Sequence, residues 1–84
     1  MENQDRLLKI LKNIKSDEDL ADFLVGILTP AEIDQINQRI EIISMLKNGI
    51  SQHRITEKLK VGIATVTRGS RMIKEGHFKQ DFWA

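Results

Sequence analysis

Residues 51–74 read SQHRITEKLKVGIATVTRGSRMIK and divide into two short amphipathic stretches around Lys60-Val61-Gly62. Ser51 is a helix N-cap, and the first stretch, Gln52 to Leu59, places Ile55 and Leu59 one helical turn apart. The second runs from Ile63 to about Lys74 with Ile63, Val66 and Ile73 facing in, and Gly76 ends it. Ile55, Leu59, Val61, Ile63 and Val66 make one apolar seam, which forces two helices joined by so short a turn to cross steeply. Lys60 in that turn implies either a left-handed lysine or a different turn.

The second stretch is left open along its other side, where Ala64, Thr65, Thr67, Arg68 and Arg71 stand: small residues first, basic ones later. Docking in a major groove requires this order, because recognition helices enter N-terminus first and touch base edges with their early residues. Ala64 and the methyls of Thr65 and Thr67 suit thymine methyls, and the hydroxyls suit bases or phosphates. Backbone N–H groups at Gly62, Ile63 and Ala64 are the unsatisfied donors of a helix start. Gln52, His53 and Thr56, with Arg54 and Lys58, flank them as contacts that position the protein on the duplex without reading it. An ordinary helical hairpin with a solvated basic face has the same pattern.

Upstream, period 3.6 accounts for nearly every apolar residue, which makes the chain all-α. Leu7, Leu8, Leu11 and Ile14 mark a first helix over about residues 4–15. Ser16 caps a second, with Asp17, Glu18 and Asp19 at the positive end of its dipole and Leu20, Phe23, Leu24 and Ile27 as its buried face. Thr29-Pro30-Ala31-Glu32 is a capping box with proline at the first helical position. The long helix it opens runs to about Lys47, and Gly49 closes it in the left-handed conformation. Ile33, Ile36, Ile40, Ile43 and Leu46 form its stripe, and Ile42 and Met45 widen that stripe enough for contacts on two sides, one to a second subunit. The organisation expected is one helical domain over 1–84: dimerisation helices in 1–28, a central helix in 29–48, a helix-turn-helix in 51–75 and a short tail in 76–84. Phe78, Phe82 and Trp83 in the tail are hydrophobic anchors, either on one more helical turn or at a frayed end.

The 84 residues bury only about 60 to 65% of the surface that the unfolded chain exposes, so a lone core is marginal. There is no cysteine, hence no disulfide, and His53 and His77 alone make no structural zinc site. Dimerisation is the remaining route to stability. No apolar run is long enough for a signal peptide or a membrane span, so a cytoplasmic location is expected. Neither histidine has a serine or cysteine to activate, and no catalytic constellation emerges. The net charge of +1 conceals −3 over residues 1–50 and +4 over residues 51–84, a basic segment suited to a polyanion.

The stretches LTPAEIDQINQRI (28–40) and NGISQHRITEKLKVGIATVTRGS (48–70) resemble the tryptophan repressor family, including its relatives of unassigned effector. The likeness covers about residues 27–75, and GIATVTRGS (62–70) is its most specific part. It implies a Trp repressor-like helical bundle with a helix-turn-helix, assembled as an intertwined homodimer. It also implies L-tryptophan or a related amino acid as co-repressor, lying between two arginines of different subunits. Arg39 and Arg68 match those arginines, Thr29 the threonine at the ligand carboxylate, and Gly69 the small residue beside the indole. Two positions depart from the family: Met72 stands where a serine serves the ligand amine, and Gly26 replaces a bulkier wall residue. The tail is also shorter than the family's last helix.

Together these readings give a sequence-specific transcriptional regulator, a repressor acting as a homodimer on double-stranded DNA, gated by an amino acid. The alternatives are an effector-independent DNA-binding protein of replication or transposition, and a helical dimer used only for protein interaction.

Overall fold

Short-range side-chain hydrogen bonds mark where three of the helices begin. The computed structural model describes residues 2–80 and 83, and these contain α1 (Glu2–Asn13), α2 (Asp17–Ile27), α3 (Pro30–Lys47), α4 (Gln52–Leu59) and α5 (Ile63–Lys74). Ser16 Oγ accepts from the Asp19 N–H at 3.1 Å, and Ser51 Oγ accepts from the Arg54 N–H at 3.3 Å. At Thr29 both halves of the capping box are made: its N–H donates to Glu32 Oε1 at 2.8 Å, and its Oγ1 accepts from the Glu32 N–H at 3.1 Å. The first helix is displaced toward the N-terminus from the span expected for it, 4–15. Ser16 caps only with extended backbone (φ −130°, ψ 155°), so the chain has already left α1 by Ile14.

The bonds from Thr29 hold the Glu32 carboxyl below the usual glutamate range. A depressed folded-state pKa contributes stability above the unfolded value and loses it as pH falls through the folded one. Thermal melts between pH 6 and pH 3 are therefore expected to show a smaller acid-side loss for Glu32→Gln than for the wild type.

The contacts of the chain separate it into two units, Met1–Asp34 and Gln35–Ala84, and the division falls inside α3. In the first unit α2 buries no residue. Phe23 is half-buried, but Leu20, Leu24 and Ile27, expected as the rest of a buried face, are exposed, as are Leu7, Leu8 and Val25. One copy of this unit offers too little surface to cover its own apolar side chains.

The second unit has the core: Ile42 and Met45 of α3, Ile55 of α4 and Val66 of α5, with Leu46, Ile50, Leu59 and Val61 packed against them. Each short helix enters through a hydrophobic staple. Ile50 precedes the cap Ser51 and joins the cluster of Ile55, and Val61 precedes the cap Gly62 and joins the cluster of Val66. Lys60 resolves the turn as a left-handed residue (φ 55°, ψ 46°). Gly49 (φ 82°) and Gly76 (φ 101°) end α3 and α5 in the same way, with N–H groups five residues on, at Ile50 and His77, bonded back to the carbonyls of Met45 and Met72.

Two apolar assignments change. Ile36 and Ile40 are exposed, whereas Ile43 and Leu46 of the expected stripe pack inward beside Ile42 and Met45, which the sequence pattern treats as its margin. Ile63, expected in the seam, is 53% exposed. It lies on the first turn of α5, and Val61, just before the helix, already fills the entry to the core. Ile63→Ala is expected to change stability by no more than about 0.5 kcal/mol in a denaturant melt, as surface substitutions generally do.

Candidate functional site

The groove-facing expectation concerns α4, α5 and the turn between them, all within the second unit. Gly62 stands at the N-cap of α5 with no side-chain hydrogen bond to the helix. Ile63, Ala64, Thr65, Thr67, Arg68 and Arg71 are all exposed. Val66, one helical position away, is fully buried, so the helix is fixed to the core by one edge and open on the rest.

The flanking residues of α4 are more engaged than spacing suggests. Gln52 is half-buried, and its Oε1 accepts from the Thr67 hydroxyl at 2.9 Å. This bond ties the start of α4 to the second turn of α5 and directs the Gln52 amide nitrogen elsewhere. The Thr56 hydroxyl donates to the Gln52 carbonyl at 2.9 Å within its own helix. His53 Nε2 lies 2.9 Å from the Glu57 carboxylate, both side chains being exposed. Thr56 and His53 thus have partners in place, while Arg54, Lys58, Lys60, Arg68, Arg71 and Lys74 are exposed cations.

Behind the open face of α5 lies a cavity of about 410 Å³ between that helix and the C-terminal part of α3. Arg39 and Arg68 both line it. Ile42, Ile43, Met72 and Phe78 supply apolar wall. Gly69 lines it too, but its lack of a side chain also serves packing: a Cβ there would stand 3.0 Å from Ile43 Cδ1 and 3.4 Å from Leu46 Cδ1. Thr29 belongs to the first unit, where its oxygen already accepts from Glu32 and only its hydroxyl proton is left to donate.

Phe78 was not foreseen at the cavity. After Gly76 the chain turns back, and Phe78 itself takes a positive φ of 65°. Its carbonyl accepts from Lys47 Nζ, and its ring lies 5.3 Å from that of Trp83. Trp83 Nε1 in turn donates to Ser44 Oγ at 2.9 Å, and Lys47 Nζ lies 5.9 Å from the indole centroid. The expected tail anchor is therefore present in Phe78 and Trp83, on α3, while Phe82 lies outside the described residues. A cluster of aromatic residues after a helix-ending glycine was the available signal, but its destination lies more than thirty residues back in the sequence.

Among the described residues no group of His, Cys, Asp or Glu could hold a metal ion, and no helix is long and apolar enough to cross a membrane. The described residues hold five helices, with a helical pair open on one side and a cavity flanked by two arginines behind it. The chain belongs to the Trp repressor family, a regulatory DNA-binding family and not an enzymatic one: the family model described as "Trp repressor protein" matches residues 2–83. It is 36% identical over 75 residues to a "Trp operon repressor homolog" of Mannheimia succiniciproducens, covering 88% of this chain and 74% of the relative. A "Trp operon repressor homolog" of Haemophilus influenzae is 35% identical with the same coverage. One of Vibrio campbellii is 31% identical over 70 residues, covering 82% of this chain and 70% of the relative. No solved structure matches.

Proposed function

We propose that this protein is a homodimeric transcriptional repressor of the cytoplasm. It places one α5 per subunit in successive major grooves of a two-fold symmetric operator, the arrangement general to helix-turn-helix dimers, Trp repressor among them. The observation that carries the proposal is the face of α5: exposed small residues at Ala64, Thr65 and Thr67, exposed arginines at 68 and 71, and Val66 alone locked in the core. N–H groups at Gly62, Ile63 and Ala64 receive a phosphate, and Gln52, His53 and Thr56 border the backbone on either side. Dimerisation is supported by the uncovered apolar side chains of the N-terminal helices, Val25 at 70% and Ile27 at 64% exposure among them.

A small carboxylate effector in the Arg39 and Arg68 cavity, beside Gly69, gates the repressor by bracing α5 against α3. L-Tryptophan, the family's co-repressor, is the first ligand to test. The purified chain, offered a pool of random duplexes, is expected to enrich a site with two-fold symmetry and to scatter light as a dimer at micromolar concentration. Recovery of no preferred duplex sinks the repressor, and a monomer sinks the shared-dimer arrangement. Absence of both calorimetric heat and a melting shift at millimolar L-tryptophan removes it as co-repressor.

A further inference from the structure

A side-chain hydrogen bond joins the two helices of the groove-facing pair. The Thr67 hydroxyl donates to Gln52 Oε1 at 2.9 Å, from the second turn of α5 to the first residue of α4. Both ends are held by buried neighbours: Val66 precedes Thr67, Ile55 lies one turn on from Gln52, and each is 0% exposed. The Gln52 carbonyl is engaged as well, by the Thr56 hydroxyl. Gln52 is half-buried and Thr67 is exposed, so the bond stands where the apolar core opens onto the face of α5.

A hydroxyl has one proton and two lone pairs, and Thr67 has given its proton to Gln52. Toward a duplex Thr67 is therefore an acceptor only. Phosphate oxygens accept too, so a direct bond from Thr67 to the DNA backbone has no proton to use. The major-groove donors are the amino groups of adenine (N6) and cytosine (N4). Thr65, two residues earlier on the same face, has no side-chain partner among the described residues and keeps a proton to donate. The two threonines are thus chemically unlike.

We propose that Gln52 is a positioning residue for sequence reading: by taking the Thr67 proton, it directs the Thr67 oxygen to an adenine or cytosine amino group of the operator. This rests on reading α5 as the helix in the major groove. Duplex selection with the wild type and with Thr67→Val, which keeps the shape and removes the hydroxyl, identifies the base pair concerned as the one per half-site where preference is lost. The amino group of that pair is then deleted, with purine in place of adenine or 2-pyrimidinone in place of cytosine. Wild-type affinity is expected to fall about three- to tenfold, the worth of one hydrogen bond. Thr67→Val and Gln52→Ala, both checked for helix content, should lose less than twofold. Gln52→Glu keeps an acceptor for Thr67 and should keep the amino-group effect, even as its charge weakens binding to every duplex. Wild-type indifference to the amino group overturns the inference and leaves the repressor standing. So does a Gln52→Ala that loses as much as the wild type, since a merely structural bond lowers affinity for both duplexes alike. A selection that recovers no preferred duplex overturns the inference and the repressor together.

Discussion

Replacing Ile55 with alanine is expected to lower stability by about 2–5 kcal/mol. Ile55 is 0% exposed at the point where Ile42 and Met45 of α3 meet Val66 of α5. Truncation removes three methyl or methylene groups from contacts on all sides and leaves a cavity that the helices cannot close without moving their caps. A chain of this length has about 4–13 kcal/mol of total stability, so the loss is a large part of the whole. Thermal melting should move down by about 10 °C or more at fixed protein concentration. Ile63→Ala, three residues from Val66, is the internal contrast: a comparable shift there would contradict the assignment of Val61 rather than Ile63 to the entry of the core.

Thr65→Glu is expected to weaken duplex binding by about a hundredfold or more, since a like charge set against phosphates costs several kcal/mol. Thr65 is exposed on the first turn of α5, where groove entry tolerates little bulk and no negative charge. A carboxylate at that turn also favours the helix through its dipole, so circular dichroism should show helix content unchanged. Loss of binding with an intact helix assigns the effect to the interface. Binding within twofold of wild type would place the nucleic-acid surface elsewhere.

The helices were legible because their limits are local. Ser16, Thr29 with Glu32, Ser51, Gly49 and Gly76 each act through bonds spanning three to five residues, and all are made as the sequence implies. Lys60 was open between two turns because one residue's left-handed tolerance is decided by the staples on either side of it, Ile50 with Ile55 and Val61 with Val66. Periodicity names the apolar faces of a helix but not what each face meets. It therefore did not separate Ile42 and Met45, which touch the helical pair, from Ile36 and Ile40, which are exposed.

The interface was more legible than the cavity for the same reason. Exposed Ala64, Thr65, Thr67 and Arg71 lie on one short helix, where spacing alone orders them. The cavity joins Arg39 to Arg68, 29 positions apart, and adds Phe78 through a chain reversal whose anchor, Trp83 on Ser44, spans 39 positions. The likeness to the Trp repressor family brought the two arginines together in advance, and both line one cavity.

The most direct measurement of DNA recognition is the salt dependence of affinity, by fluorescence anisotropy, for a two-fold symmetric duplex recovered by selection and for a scrambled duplex of equal length. Affinity for both should fall as salt rises, with a slope set by the number of phosphates contacted. The selected duplex should stay tighter by about a thousandfold or more at physiological salt. Equal affinities for the two duplexes at every salt concentration would contradict sequence-specific repression by this protein.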